Sequence, residues 1–76
     1  MQCLIQDIPL GRNIRAARLA RHMTQSQVAQ QLQLLGSLMS RSTLAGIESG
    51  RRNIKAGDLQ ALKQVLGVEY DAFFQV

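Results

Sequence analysis

Apolar positions recur with a helical period along most of this chain, and local start and stop signals divide the periodic stretches. Leu10, Ile14 and Ala17, with Leu19 as a candidate extension, predict a first helix that is entered at Asp7 and Pro9 and ends near His22. Thr24 and Gln27 form an S/T-x-x-E/Q capping box, and Val28, Ala29, Leu32 and Leu35 follow at one-face spacings. A second helix is therefore expected from Gln25 to Leu35, with Gly36 as its stop. Ser40 is a suitable N-cap for a third helix, in which Leu44, Ile47 and Glu48 cluster on one side. Ser42, Ala45, Gly46 and Ser49 project on the other, ahead of a stop at Gly50 and the pair Arg51 and Arg52. After Asn53 and Ile54 a fourth helix spans Ala56 to Leu66, with Leu59, Leu62 and Leu66 inward, Gly67 as its stop and Gly57 weakening its first turn. Val68, Tyr70, Phe73 and Phe74 predict a short fifth helix. Adjacent helical positions diverge by about 100°, so Phe73 is assigned to the core while Phe74 or Val76 is left for a second copy.

The third helix has the chemistry of a groove reader. An α-helix only just fits the major groove of duplex DNA, and a face of short side chains lets its backbone approach closely. Arg51 and Arg52, just past its end, are placed to grip the phosphate backbone. Gln25 opens the second helix, where a side-chain amide and free backbone N–H groups can hold a phosphate at the positive end of the helix dipole.

Here the chain resembles the Cro and phage-repressor type of helix-turn-helix regulator, the xenobiotic-response-element family, over about Leu10 to Phe74. The residues that carry the resemblance are Ile14-Arg15-Ala16-Ala17-Arg18, Thr24-Gln25-Ser26-Gln27-Val28-Ala29, Ser40-Arg41-Ser42-Thr43-Leu44 and Ile47-Glu48-Ser49-Gly50-Arg51-Arg52, in that order. The departure is the connection Gln33 to Met39, which adds an extra helical turn and some loop to the family's short turn. The resemblance implies an all-α, compact five-helix orthogonal bundle of the phage-repressor DNA-binding type at 9–76; the stretch before it lacks a periodic pattern and is expected to be an N-terminal arm, 1–8. It implies that Arg18 bonds Glu48, tying the reading helix to the scaffold with guanidinium donors left for phosphate. It also implies that Arg41, Ser42 and Gly46 enter the groove, flanked by Ser40 and Thr43, with Ser49 on the same face. Arg41 is the only long donor among these, and either a guanine or a phosphate satisfies it.

Charge supports that direction. Gly11 to Lys55 holds eight basic residues against Glu48 alone, a net +7, while the remainder is −3 and the whole chain is +4. A basic balance is equally the mark of a solvated surface and gains meaning only beside the helix pattern. At 76 residues there is room for one domain, near the size at which a core alone is marginal. No apolar run is long enough to span a bilayer. Cys3 is the only cysteine, and a reducing cytoplasm is the expected compartment. With one histidine and few carboxylates, no spacing assembles a nucleophile with its base or a metal with its ligands, so neither an enzyme nor a cofactor is expected. His22 suits a turn better than a ligand role, and Met23 suits the core.

The basic segment lacks the aromatics that stack single-stranded bases, which favours duplex DNA. The expected protein is thus a sequence-specific, double-stranded DNA-binding regulator, a repressor working as a homodimer on a two-fold site. Phe74 and Val76 are the first candidate for the dimer surface, and Leu38 and Met39 the second. The alternative is a protein-interaction module, such as an antitoxin-like or regulator-docking partner, that uses Leu34, Leu38 and Met39.

Overall fold

The computed structural model describes residues 9–76. The N-terminal arm, Cys3 and Asp7 lie outside the described residues. Four α-helices follow in order: α1 (Leu10–Ala20), α2 (Gln25–Leu34), α3 (Arg41–Glu48) and α4 (Ala56–Leu66). No strand occurs among the described residues. The expected fifth helix is instead a 3-10 helix, Tyr70–Phe74. Five residues close after Gly67 are too few to propagate an α-helix, and the tighter 3-10 geometry is typical of such short pieces.

Both ends of α2, the start of α3 and the end of α1 follow from local chemistry. Thr24 accepts the backbone N–H of Gln27 at 3.0 Å, and the Gln27 side chain accepts that of Thr24 at 2.8 Å, so the capping box closes in both directions. Ser40 caps α3 by accepting the Thr43 N–H at 3.1 Å. Helix α1 is closed just past its Arg21 cap by His22, whose φ of 56° is left-handed; the Met23 N–H then reaches back to the Arg18 carbonyl. That is the Schellman arrangement, achieved here without glycine. Helix α2 ends one residue before the expected Leu35, because Gly36 turns left-handed and Leu35 becomes its cap.

The core is built from Leu10 and Ile14 of α1, Val28 and Leu32 of α2, Leu44 and Ile47 of α3, Leu62 and Leu66 of α4, and Phe73. Ala17, Met23 and Leu59 pack against it half-buried. Leu19 and Leu35, which the apolar pattern puts on core faces, are both 45% exposed. Leu19 sits in the last turn of its helix and Leu35 is the cap of its own. Met39 corrects another expectation: a docking residue by its place in the connection, it is buried in the core. The Met39 side chain turns inward while its neighbour Leu38 is left 98% exposed. This connection is pinned rather than loose. The Ser37 hydroxyl donates to Asp58 of α4 at 3.0 Å and accepts the Met39 N–H, and Gln33 donates to the Met39 carbonyl.

The C-terminal segment is held on α1 by one side chain that sequence reasoning passes over. The Asn13 amide donates to the carbonyls of Phe73 and Gln75, both at 2.8 Å. Phe73 is thereby seated in the core while its neighbour Phe74 faces outward, 44% exposed.

Candidate nucleic-acid interface

Helix α3 lies on α1 and α2, and its inward side carries the buried residues Leu44, Ile47 and Glu48. Helix α1 approaches it so closely that a Cβ at Gly11 would collide with the Ile47 carbonyl oxygen. The position of α3 on the scaffold is therefore set by backbone contact as well as by side chains.

Glu48 is the electrostatic hinge of this arrangement. Arg18 donates to its carboxylate twice, from Nε at 2.7 Å and from a terminal nitrogen at 2.9 Å, with the two side chains 9% and 3% exposed. The other terminal nitrogen donates to the Met23 carbonyl at 2.8 Å. Gln25 completes the set by donating to Glu48 at 3.1 Å. The hydrogen bond to Glu48, with help from its charge, raises the Arg18 pKa against the opposing effect of burial. A planar guanidinium matches a carboxylate in this two-pronged way, which fixes orientation as well as energy. The pairing of Arg18 with Glu48 is thus present. Gln25, however, points its amide at Glu48, leaving the backbone N–H groups of Gln25 and Ser26 for any anion at that end, since Thr24 already takes that of Gln27.

The remaining site residues divide by what they already hold. Arg41 and Ser42 are exposed at the first turn of α3. The Ser40 and Thr43 hydroxyls are 3.1 Å apart and bonded to each other, so they serve the cap first. Gly46 departs from expectation. The sequence pattern puts it on open outward surface, yet it is buried, because the Arg52 side chain lies across it. The Ser49 hydroxyl donates to the Gly46 carbonyl at 3.0 Å and accepts from Arg51 Nε at 3.1 Å. Arg51 and Arg52 are exposed, and neither has a carboxylate partner among the described residues.

Two further arginines join the site without having been expected there. Arg15 lines a surface cleft with Arg18, Gln25 and Arg41, and Arg12 lines a second with Ser49 and Arg52. The three-residue spacing of Arg12, Arg15 and Arg18 holds that signal, since it spreads cations over the side of α1 that meets α3. Of the candidate dimer residues, Phe74 and Val76 are exposed and Leu38 is exposed, whereas Met39 is not. Among the described residues no group of His, Cys, Asp and Glu is arranged to hold a metal, and no helix is long and apolar enough to cross a membrane.

This geometry is a capped helix α2, a connection and a basic-flanked helix α3 docked by an internal ion pair, which defines a DNA-binding helix-turn-helix regulator. The helix-turn-helix family model matches residues 14–73, and the chain belongs to that family, of the Cro and phage-repressor type. No curated protein and no solved structure matches the chain.

Proposed function

We propose that this regulator binds double-stranded DNA with sequence selectivity and represses by occupying its site as a homodimer. The observation that carries the reading is how the charge of the basic segment is spent. Glu48, its one acid, is buried and taken by Arg18 and Gln25, while Arg41 at one end of α3 and Arg51 and Arg52 at the other stand exposed without acidic partners among the described residues. Such a surface presents nearly undiluted positive charge at both ends of α3, as phosphate binding around a groove requires.

In this reading Ser42 faces bases, Arg41 takes a guanine or a phosphate, and Arg51, Arg52 and the Gln25 and Ser26 amides hold the backbone. Gly46 reads nothing, since Arg52 covers it. Arg18 acts through α3 rather than through a phosphate, with its guanidinium buried against Glu48 and Met23. One copy covers a few base pairs, so two copies about 34 Å apart along the duplex supply useful affinity. Phe74 and Val76 are the first candidate contact, and Leu38 with Leu34 the second.

Fluorescence anisotropy of a labelled random-sequence duplex, titrated between about 50 and 200 mM salt, tests the duplex-binding part of the proposal, and selection of bound sequences from a random duplex pool tests its selectivity. Arg51 and Arg52 alone should contribute about −1.8 per protomer to the slope of log affinity against log salt, at about 0.9 for each phosphate neutralised. Absence of salt-dependent binding would refute it. That outcome would favour a protein-docking role, for which the exposure of Leu34 and Leu38, 79% and 98%, is the supporting observation.

A further inference from the structure

Gly46, which the sequence pattern puts on the outward side of α3, is covered, and what covers it gives the position a purpose. A Cβ there would stand 2.7 Å from Arg52 Cδ and 3.0 Å from Arg52 Cγ, closer than two carbons can rest, with an Arg51 terminal nitrogen 3.7 Å away. The backbone N–H groups of Arg51 and Arg52 both donate to the Gly46 carbonyl, at 2.9 and 3.2 Å. The Ser49 hydroxyl donates to the same oxygen and accepts the Nε–H of Arg51. Gly50, with φ of 83°, makes the left-handed turn that folds both arginines back over the helix they follow.

We infer that Gly46 and Ser49 are positioning residues: a seat on the end of α3 that holds the stems of Arg51 and Arg52 and sets their guanidinium groups for phosphate before DNA arrives. The inference rests on the DNA-binding reading above and assigns these two positions a role distinct from base contact. Arginine is a rotamer-rich side chain, and ordering such a chain on binding costs affinity unless it is ordered beforehand. The space vacated by the missing Cβ lets the Arg52 methylenes lie against the helix. The Ser49 hydroxyl, oriented by donating to a backbone carbonyl, turns its lone pairs to Arg51. Arg51 keeps its terminal N–H groups for a ligand, since only Nε is engaged.

Gly46→Ala separates this role from a structural one. Alanine is favoured over glycine inside a helix, and the obstacle is a flexible side chain, so the variant should be at least as stable as the wild type. It should nevertheless bind a labelled random-sequence duplex about two- to tenfold more weakly, the cost of one unordered arginine. In an Arg52→Ala background the same substitution should have no effect on affinity, because the seat is then empty. A DNA-free measurement stands beside it: ¹⁵N relaxation at Arg Nε should show Arg52 restrained in the wild type and mobile in Gly46→Ala, and Arg51 mobile in Ser49→Ala. Unchanged relaxation in either variant would overturn the seat, as would an affinity loss from Gly46→Ala that persists without Arg52. If the seat is seen by relaxation but wild-type protein shows no salt-dependent duplex binding, the DNA-binding reading fails and the role assigned to the seat fails with it. If Arg52→Ala weakens binding while Gly46→Ala does not, the inference alone fails.

Discussion

Replacing Arg18 by methionine keeps an aliphatic stem of similar reach and removes the guanidinium. Glu48 then loses hydrogen bonds of 2.7 and 2.9 Å and is left with Gln25 at 3.1 Å as its remaining side-chain donor, while the Met23 carbonyl loses its contact at 2.8 Å. Because the two side chains are only 9% and 3% exposed, water does not readily replace what is lost. Breaking a buried pair in this way costs about 3 to 5 kcal/mol, against under about 1 kcal/mol for a pair at the surface. A chain of 76 residues has only about 4 to 11 kcal/mol of stability in all, so the variant should be near the edge of folding. Glu48→Leu should cost a comparable amount, since it strands the guanidinium. The double variant removes both charges and should recover much of the loss, as apolar replacements of whole buried pairs often do. Urea unfolding of the wild type, the two single variants and the double variant gives the coupling directly. Additive single effects, or single losses below about 1 kcal/mol, would refute the claim that this pair docks α3 on the scaffold.

Arg51→Ala combined with Arg52→Ala should weaken binding to all duplexes alike and flatten the salt slope by about 1.8 per protomer, which anisotropy across a salt series would measure. Gly11→Ala should destabilise by about 1 to 3 kcal/mol, because the new Cβ has rigid backbone of α3 in its way, whereas Gly57→Ala meets nothing and should stabilise α4 by about 1 kcal/mol; thermal melts of the two should shift in opposite directions. His22→Gly should stabilise by up to about 1 kcal/mol, since His22 occupies a left-handed conformation at φ 56° that favours glycine. Phe74→Asp should abolish cooperative binding to a palindromic duplex while leaving half-site binding intact, as read by sedimentation and titration; unchanged cooperativity would transfer the dimer contact to Leu34 and Leu38.

Features that depend on neighbours along the chain are legible in the sequence itself. Thr24 and Gln27, Ser40, Gly36 and Gly50 carry their helix boundaries in their own side chains or in the lack of one, and each acts there as expected. The pairing of Arg18 with Glu48 needs the family resemblance, because the two are thirty residues apart. What escapes a sequence reading is decided by approach in space. Gly46 looks like open surface until Arg52 folds back over it, and Met39 looks like a loop residue until the connection pinned by Ser37 and Asp58 turns it inward. Asn13 is one more polar residue on α1 until the C-terminal carbonyls arrive beside it. The 3-10 geometry of Tyr70–Phe74 is hidden for the converse reason: the apolar pattern marks which of two aromatics is buried but says little about the pitch of so short a segment.

The central claim is that the two ends of α3 and the start of α2 meet duplex DNA. Amide chemical-shift mapping tests it most directly, with ¹⁵N-labelled protein titrated with duplex at low salt and compared with the same protein given an equal charge of a flexible polyanion. Duplex-specific shifts should concentrate at Gln25 and Ser26, at Arg41 to Thr43 and at Ser49 to Arg52, with the C-terminal segment moving only if a second copy joins. Shifts confined to Leu34 to Leu38, or a pattern that the polyanion reproduces in full, would contradict the account.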